Sequence, residues 1–124
     1  MGKSIALIDD SSAFRFLVAS LLETVGMRVV HFPDAESFLA KTVKPELFDL
    51  LLIDINLPGR NGLDLLSALK ADPRLASTPA LLLTGDATKE RVAQAAHLGV
   101  AGYIAKPIDP ASFVERILTV LMLG

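Results

Sequence analysis

Five short apolar runs punctuate the chain: Ile5 to Ile8, Val29 to Phe32, Leu50 to Ile53, Ala80 to Leu83 and Tyr103 to Ala105. They are near-continuous in apolar residues and do not alternate, which predicts parallel strands covered on both faces by helices. Segments of helical period lie between them. In the first, Phe14, Leu17, Val18, Leu21, Leu22 and Val25 follow the i, i+3, i+4, i+7, i+8 template, with Ser11 or Ser12 able to cap and Gly26 placed to end the helix. The second starts at Asp34, the third runs from about Gly62 to Ala71, and the fourth from about Thr88 to Leu98. The last opens with Asp109 and Pro110 as N-cap and first helical residue. Strand and helix alternate five times, which predicts an α/β sandwich built on a parallel sheet with right-handed crossovers. No linker-like stretch divides residues 1–124, which read as a single domain.

Composition narrows the function classes. An apolar fraction of 52% against 21% charged residues excludes a disordered segment, and 124 residues suit one domain. The net charge of -2 and the scattering of the 12 basic residues leave no stripe for a nucleic-acid backbone. With no cysteine, disulfides, thiolate chemistry and Cys-based metal sites are excluded. The longest stretch without a formal charge, Val92 to Ala105, holds Gln94, His97 and two glycines and is too short and polar to span a bilayer. The opening MGKSIALIDD meets an acid pair before a signal-peptide apolar region could form, which predicts a soluble, cytoplasmic protein.

Candidate chemistry sits where the strands stop. Ile8 is followed by Asp9 and Asp10, Ile53 by Asp54, Leu83 by Thr84, and Ala105 by Lys106. In a parallel sheet all carboxyl ends lie on one edge, where ligands of open α/β sheets bind, so these residues should converge. Two unit charges about 4 Å apart repel by roughly 4 kcal/mol at an effective dielectric near 20, so three crowded carboxylates need a cation. An all-oxygen donor set suits Mg²⁺, which works beside phosphate, and Lys106 adds a point charge suited to a phosphate oxygen. Without a Ser-His or Cys-His pair at these ends, the obvious nucleophile is a carboxylate able to form an acyl phosphate, with Asp54 central.

The segments ALIDDSSAFR, LLLIDINLPGRNGLDLL, LLLTGD and AGYIAKP, in this order and spacing, resemble the receiver domain of two-component response regulators from about Ser4 to Leu121. Asp54 to Thr84 is 30 residues and Thr84 to Lys106 is 22, with Tyr103 three before the lysine, as in that family. The resemblance, in particular to chemotaxis receivers, implies a flavodoxin-like (βα)5 fold with strand order 2-1-3-4-5. It implies that Asp54 accepts a phosphoryl group from the phosphohistidine of a histidine kinase or phosphotransfer protein. Asp10, Asp54 and the backbone carbonyl of Asn56 would hold Mg²⁺, with Asp9 acting through a water. Lys106 would pair with a phosphoryl oxygen and Thr84 would donate its hydroxyl to another. Asn56 and Asp86 would tune dephosphorylation, the Lys106-Pro107 bond would be cis, and Tyr103 would follow Thr84 to change the face made by the fourth helix, the fifth strand and the last helix. The protein would be a switch that catalyses only its own phosphorylation and dephosphorylation, acting on a downstream protein or output domain.

Other features carry less. Phe16 lies opposite the apolar stripe of its helix, either partly covered by a loop or exposed for docking to the phosphodonor. In the last helix Val114, Leu118 and Met122 form a second stripe beside Phe113, Ile117 and Leu121, fit for core packing or for a homodimer. His31 and His97 read as surface residues, and turn geometry alone explains Gly59 and Gly62. An aspartate-nucleophile phosphatase resembles a DxD pattern, whereas Asn56 stands in place of the second acid. A flavin carrier on the same fold needs a first loop rich in phosphate-binding amides, and DDSSAF is acidic. The remaining alternative is a receiver-like interaction module that works without phosphorylation.

Overall fold

The computed structural model describes residues 2–41, 48–59, 61–85 and 96–123. Five strands, β1 (Ser4–Ile8), β2 (Arg28–Phe32), β3 (Leu50–Asp54), β4 (Ala80–Thr84) and β5 (Gly102–Ala105), form one sheet in the order β2-β1-β3-β4-β5, with all neighbours parallel. This is the flavodoxin-like order that the resemblance implies. The helices are α1 (Ser12–Glu23), α2 (Ala35–Lys41), α3 (Gly62–Ala71) and the final helix, here α4 (Pro110–Leu123). Of the fourth predicted helix, residues 88–95 lie outside the described residues; Ala96 and His97 are helical and the chain turns at Leu98 and Gly99.

Pleating sorts each strand between two cores. Ile5, Leu7, Leu50, Leu52, Leu81 and Leu83 face α1 and α4, where they meet Val18, Leu22, Phe113 and Ile117. Ala6, Ile8, Leu51, Ile53, Ala80 and Leu82 face α2 and α3, meeting Phe38, Leu65, Leu66 and Leu69. The central strands β3 and β4 are buried at every position, which is why their sequences are unbroken apolar runs. On the α2 side Phe32 and Phe38 meet edge to face with centroids 5.2 Å apart.

Local signals end the helices where the sequence places them. Ser11 caps α1, its hydroxyl accepting from the Phe14 amide, and Gly26 takes φ +82 just past the helix end. Asp34 accepts from the Ser37 amide ahead of α2, Asn61 caps α3, and Asp109 accepts from the Ser112 amide at the start of α4. Each strand is one residue longer than the apolar pattern predicts: β1, β2 and β5 begin one residue earlier, and β3 and β4 end one residue later. Asp54 and Thr84 are the last residues of β3 and β4, because the ladder continues through Ile55 N–H to Leu83 and Lys106 N–H to Thr84.

Phe16 is 75% exposed, and among the described residues no loop covers it. Val114 is half-buried while Leu118 and Met122 are exposed, so the second apolar stripe of the final helix is open at that end. His31 and His97 lie at the surface. Among the described residues no helix is long and apolar enough to cross a membrane.

Gly59 has φ +73, as turn geometry requires, but Gly62 does not and needs another explanation. A Cβ there would run into the carbonyl oxygen of Asp54 and stand 2.8 Å from Ile55 Cα. Its missing side chain lets the start of α3 lie directly on the backbone behind Asp54. Gly62→Ala should therefore destabilise the fold by about 1–3 kcal/mol, as overpacking does. At Gly85, a Cβ would meet nothing within 4 Å, so Gly85→Ala should change stability by less than about 0.5 kcal/mol. Urea denaturation of the two variants checks the contrast, and equal losses would contradict it.

Candidate functional site

The sheet register carries the site. Ile8 pairs with Ile53, so Asp9 and Asp54 follow one another on adjacent strands, and Thr84 pairs with Ala105, so Lys106 leaves β5 at the same level. Strand parity then places Asp54 on the face of Leu50 and Leu52, the α1 side, with Asp9 and Lys106 continuing the same pleat from Leu7 and Ile104. The apolar core ends there and charge begins.

Lys106 joins the two strands. Its Nζ donates to Asp9 Oδ2 at 2.9 Å and to Asp54 Oδ2 at 3.3 Å, with Asp9 fully buried and Asp54 only 4% exposed. The other carboxylate oxygens take backbone donors: the Ser11 amide reaches Asp9 Oδ1 at 2.8 Å, and the Asn56 amide reaches Asp54 Oδ1 at 3.0 Å. Arg15, from the first turns of α1, donates through Nη1 to the Asp9 carbonyl at 2.7 Å and so ties the β1–α1 turn to the helix. Phe14 lays its ring 4.3 Å from the Lys106 nitrogen.

Asp10 is exposed at the rim. One carboxylate oxygen each from Asp9, Asp10 and Asp54 can lie within 4.8 Å of the others. Three hard oxygen donors against one lysine charge fit a hard divalent cation of the Mg²⁺ kind. Thr84, 2% exposed, closes β4 on the opposite pleat. Tyr103 pairs with Leu82 and therefore shares that opposite face one rung below Thr84; it is 39% exposed. Asn56 is exposed beyond β3, and the Lys106-Pro107 bond is cis, as the resemblance implied. Asp86 lies outside the described residues.

The response regulator receiver domain family matches residues 5–118. The chain belongs to that family. Its relatives include the chemotaxis protein CheY-3 of Vibrio cholerae, 35% identical over 91% of this chain and 87% of that protein, and CheY of Pseudomonas aeruginosa, 34% identical over 91% of each. Among solved structures, Vibrio cholerae CheY4 superposes with a TM-score of 0.89 at 27% identity, covering 97% of this chain and 99% of that one. A CheY-like receiver from Methanospirillum hungatei gives 0.89 at 30% identity, covering 99% and 96%. The protein is thus a CheY-like receiver, a signalling domain of two-component systems.

Within this receiver, burial is the main force that holds the Asp54 carboxyl above its usual range, with the Asp9 charge adding to it against the Asn56 amide and Lys106. Burial also works against the Lys106 charge, but Asp9 and Asp54 outweigh it and hold the ammonium above its usual range. Reading the strand ends finds Asp9, Asp10, Asp54, Thr84 and Lys106; the fold brings the three acids and the lysine together, while Thr84 ends β4 at the same edge on the opposite pleat. That reading misses Arg15, and it takes Phe14 only for part of the apolar stripe. The available signal was position: both follow the acid pair within one helical turn or so, where the start of α1 must cover the open end of the sheet.

The raised Asp54 pKa makes a linkage prediction. A proton binds this carboxyl more readily in the folded state, so its contribution to stability is present below the ordinary carboxyl range and lost as pH rises through the raised value. At neutral pH the ionised group is a net cost that an amide avoids. Without divalent cations, Asp54→Asn should therefore melt above wild type at pH 7, and the gap should narrow toward pH 4. A variant less stable than wild type at pH 7 would contradict this.

Proposed function

We propose that this receiver is a phosphorylation-dependent switch of a two-component phosphorelay, and that residues 1–124 act as one unit in the cytoplasm. The observation that carries the reading is a buried Asp54 carboxylate held by Lys106 at the open edge of the sheet, beside Asp9 and Asp10. Asp54 accepts a phosphoryl group from a histidine kinase or histidine phosphotransfer protein. An Asp54 oxygen forms the bond to phosphorus as the phosphorus–nitrogen bond of the donor breaks, and its electron pair returns to the imidazole. Mg²⁺, held by Asp10, Asp54 and the Asn56 carbonyl with Asp9 acting through a water, would supply charge neutralisation for the phosphoryl oxygens.

The protein's own groups do the positioning. The Asn56 amide fixes one Asp54 oxygen, leaving the other, now on Lys106, to face an incoming donor. Lys106 then moves a donor from Asp54 to a phosphoryl oxygen, so stabilisation grows as charge shifts onto the transferring group. Thr84 donates its hydroxyl to a second phosphoryl oxygen. Because Thr84 and Tyr103 share a sheet face on neighbouring strands, movement of the first is felt by the second. The output is a change in the face around the fourth predicted helix, β5 and α4, read by a downstream protein or output domain. Inverting a 1:99 equilibrium to 99:1 takes about 5.5 kcal/mol, within reach of a few charge-assisted contacts. Asn56 and Asp86 tune the lifetime of the phosphorylated state. A related receiver, DrrB, is solved in a BeF3-activated form, superposing with a TM-score of 0.86 at 27% identity and covering 98% of this chain and 99% of that one, which supports the same response here.

Incubation with acetyl phosphate and Mg²⁺ should add one phosphoryl mass to the intact protein, and Asp54→Asn or removal of Mg²⁺ should abolish it. Lys106→Ala should slow labelling roughly 10²- to 10³-fold, the usual scale for losing a group that stabilises charge developing on the reacting centre. A folded protein that takes up no phosphoryl group from varied donors would favour an interaction module that works without phosphorylation.

A further inference from the structure

Lys106 has a third partner besides its two carboxylates. The Phe14 ring, from the first turn of α1, stands with its centroid 4.3 Å from Nζ, well inside cation–π range. An ammonium has three N–H donors, and Asp9, Asp54 and a π face make three partners. One side of the setting is apolar: Phe14, Leu17, Pro107 and Ile108 line an open hollow of about 430 Å³ that Lys106 and Ser11 complete.

The three partners differ in what phosphorylation does to them. When Asp54 becomes an acyl phosphate, the oxygen that bonds phosphorus loses its charge and Lys106 must take a phosphoryl oxygen instead. Asp9 remains charged and is the acid expected to serve the metal through a water. The ring alone is unaffected by either event, and being neutral it does not compete with the phosphoryl group for the ammonium. We propose that Phe14 is a positioning residue for phosphoryl transfer, its π face holding the Lys106 ammonium at the site while the lysine's partner changes from carboxylate to phosphoryl oxygen. This rests on the reading of Asp54 as phosphoacceptor.

Two measurements test it. In unphosphorylated protein without Mg²⁺, the Lys106 ε-methylene protons should be shifted upfield by the ring current, and the shift should vanish in Phe14→Leu. An unshifted Lys106 in wild-type protein would overturn the proposal. With acetyl phosphate and Mg²⁺, Phe14→Leu should be labelled roughly three- to tenfold more slowly than wild type. Because leucine also changes packing, Phe14 is further replaced by 4-fluoro-, 3,5-difluoro- and 3,4,5-trifluorophenylalanine, which keep the ring's shape and progressively weaken its negative face. The labelling rate should fall along this series while the melting temperature stays close to wild type. A flat series in protein whose wild-type form is labelled at Asp54 would overturn the proposal and leave the phosphoacceptor reading standing. Wild-type protein that takes no phosphoryl group removes that reading and the proposal with it, an outcome visible before any change at position 14.

Discussion

One ammonium bridging two strands is the contact on which the site depends. Asp9 is fully buried and Asp54 nearly so, and both would be strongly destabilised as neighbouring carboxylates without an offsetting charge. Lys106 supplies it from the end of β5 by reaching back past β4 to Asp54 at the end of β3 at 3.3 Å and to Asp9 after β1 at 2.9 Å. The compensation is incomplete, since Asp54 still favours its proton more than an exposed aspartate does. A carboxylate held in this way gains from a further cation, as the proposed phosphoacceptor role requires.

The rest of the fold makes that contact possible. Parallel pairing puts every carboxyl end on one edge, and the pleat then directs Asp9, Asp54 and Lys106 to the α1 side while Thr84 and Tyr103 fall on the other. The proposed phosphoacceptor and the proposed switch pair thus occupy opposite faces of one sheet, joined through the last rung of β4, where Lys106 N–H bonds the Thr84 carbonyl at 2.8 Å. Behind the site the absence of a side chain at Gly62 lets α3 press on the Asp54 backbone, and Arg15 secures the turn that carries Asp9. These contacts brace the backbone at both acids, as the proposed in-line attack by Asp54 would require.

Much of this was readable in the residues. The unbroken apolar runs at Leu50 to Ile53 and Ala80 to Leu83 mark central buried strands, and the polar residue after each run marks the reactive edge. Caps were readable too, because Ser11, Asp34 and Asp109 have side chains suited to the amides they bind. Hydrophobic pattern misplaces the ends of β3 and β4 by one residue, because a backbone ladder can continue through a polar side chain. It also cannot distinguish a glycine kept for turn geometry, such as Gly59, from one kept for close packing, such as Gly62, since that difference lies in a long-range contact. Phe14 was hidden for the same reason: an aromatic at a helical apolar position looks like core until the lysine it meets arrives from 92 residues later.

The most direct measurement of the central claim is a crystal structure of the protein soaked with Mg²⁺ and BeF3. The bridge described here predicts a beryllofluoride adduct on Asp54, with Lys106 moved from the Asp54 oxygen to a fluorine and Asp9 and Asp10 gathered about the metal. Asp54 left unmodified, with Lys106 still spanning Asp9 and Asp54 in the presence of both reagents, would contradict it.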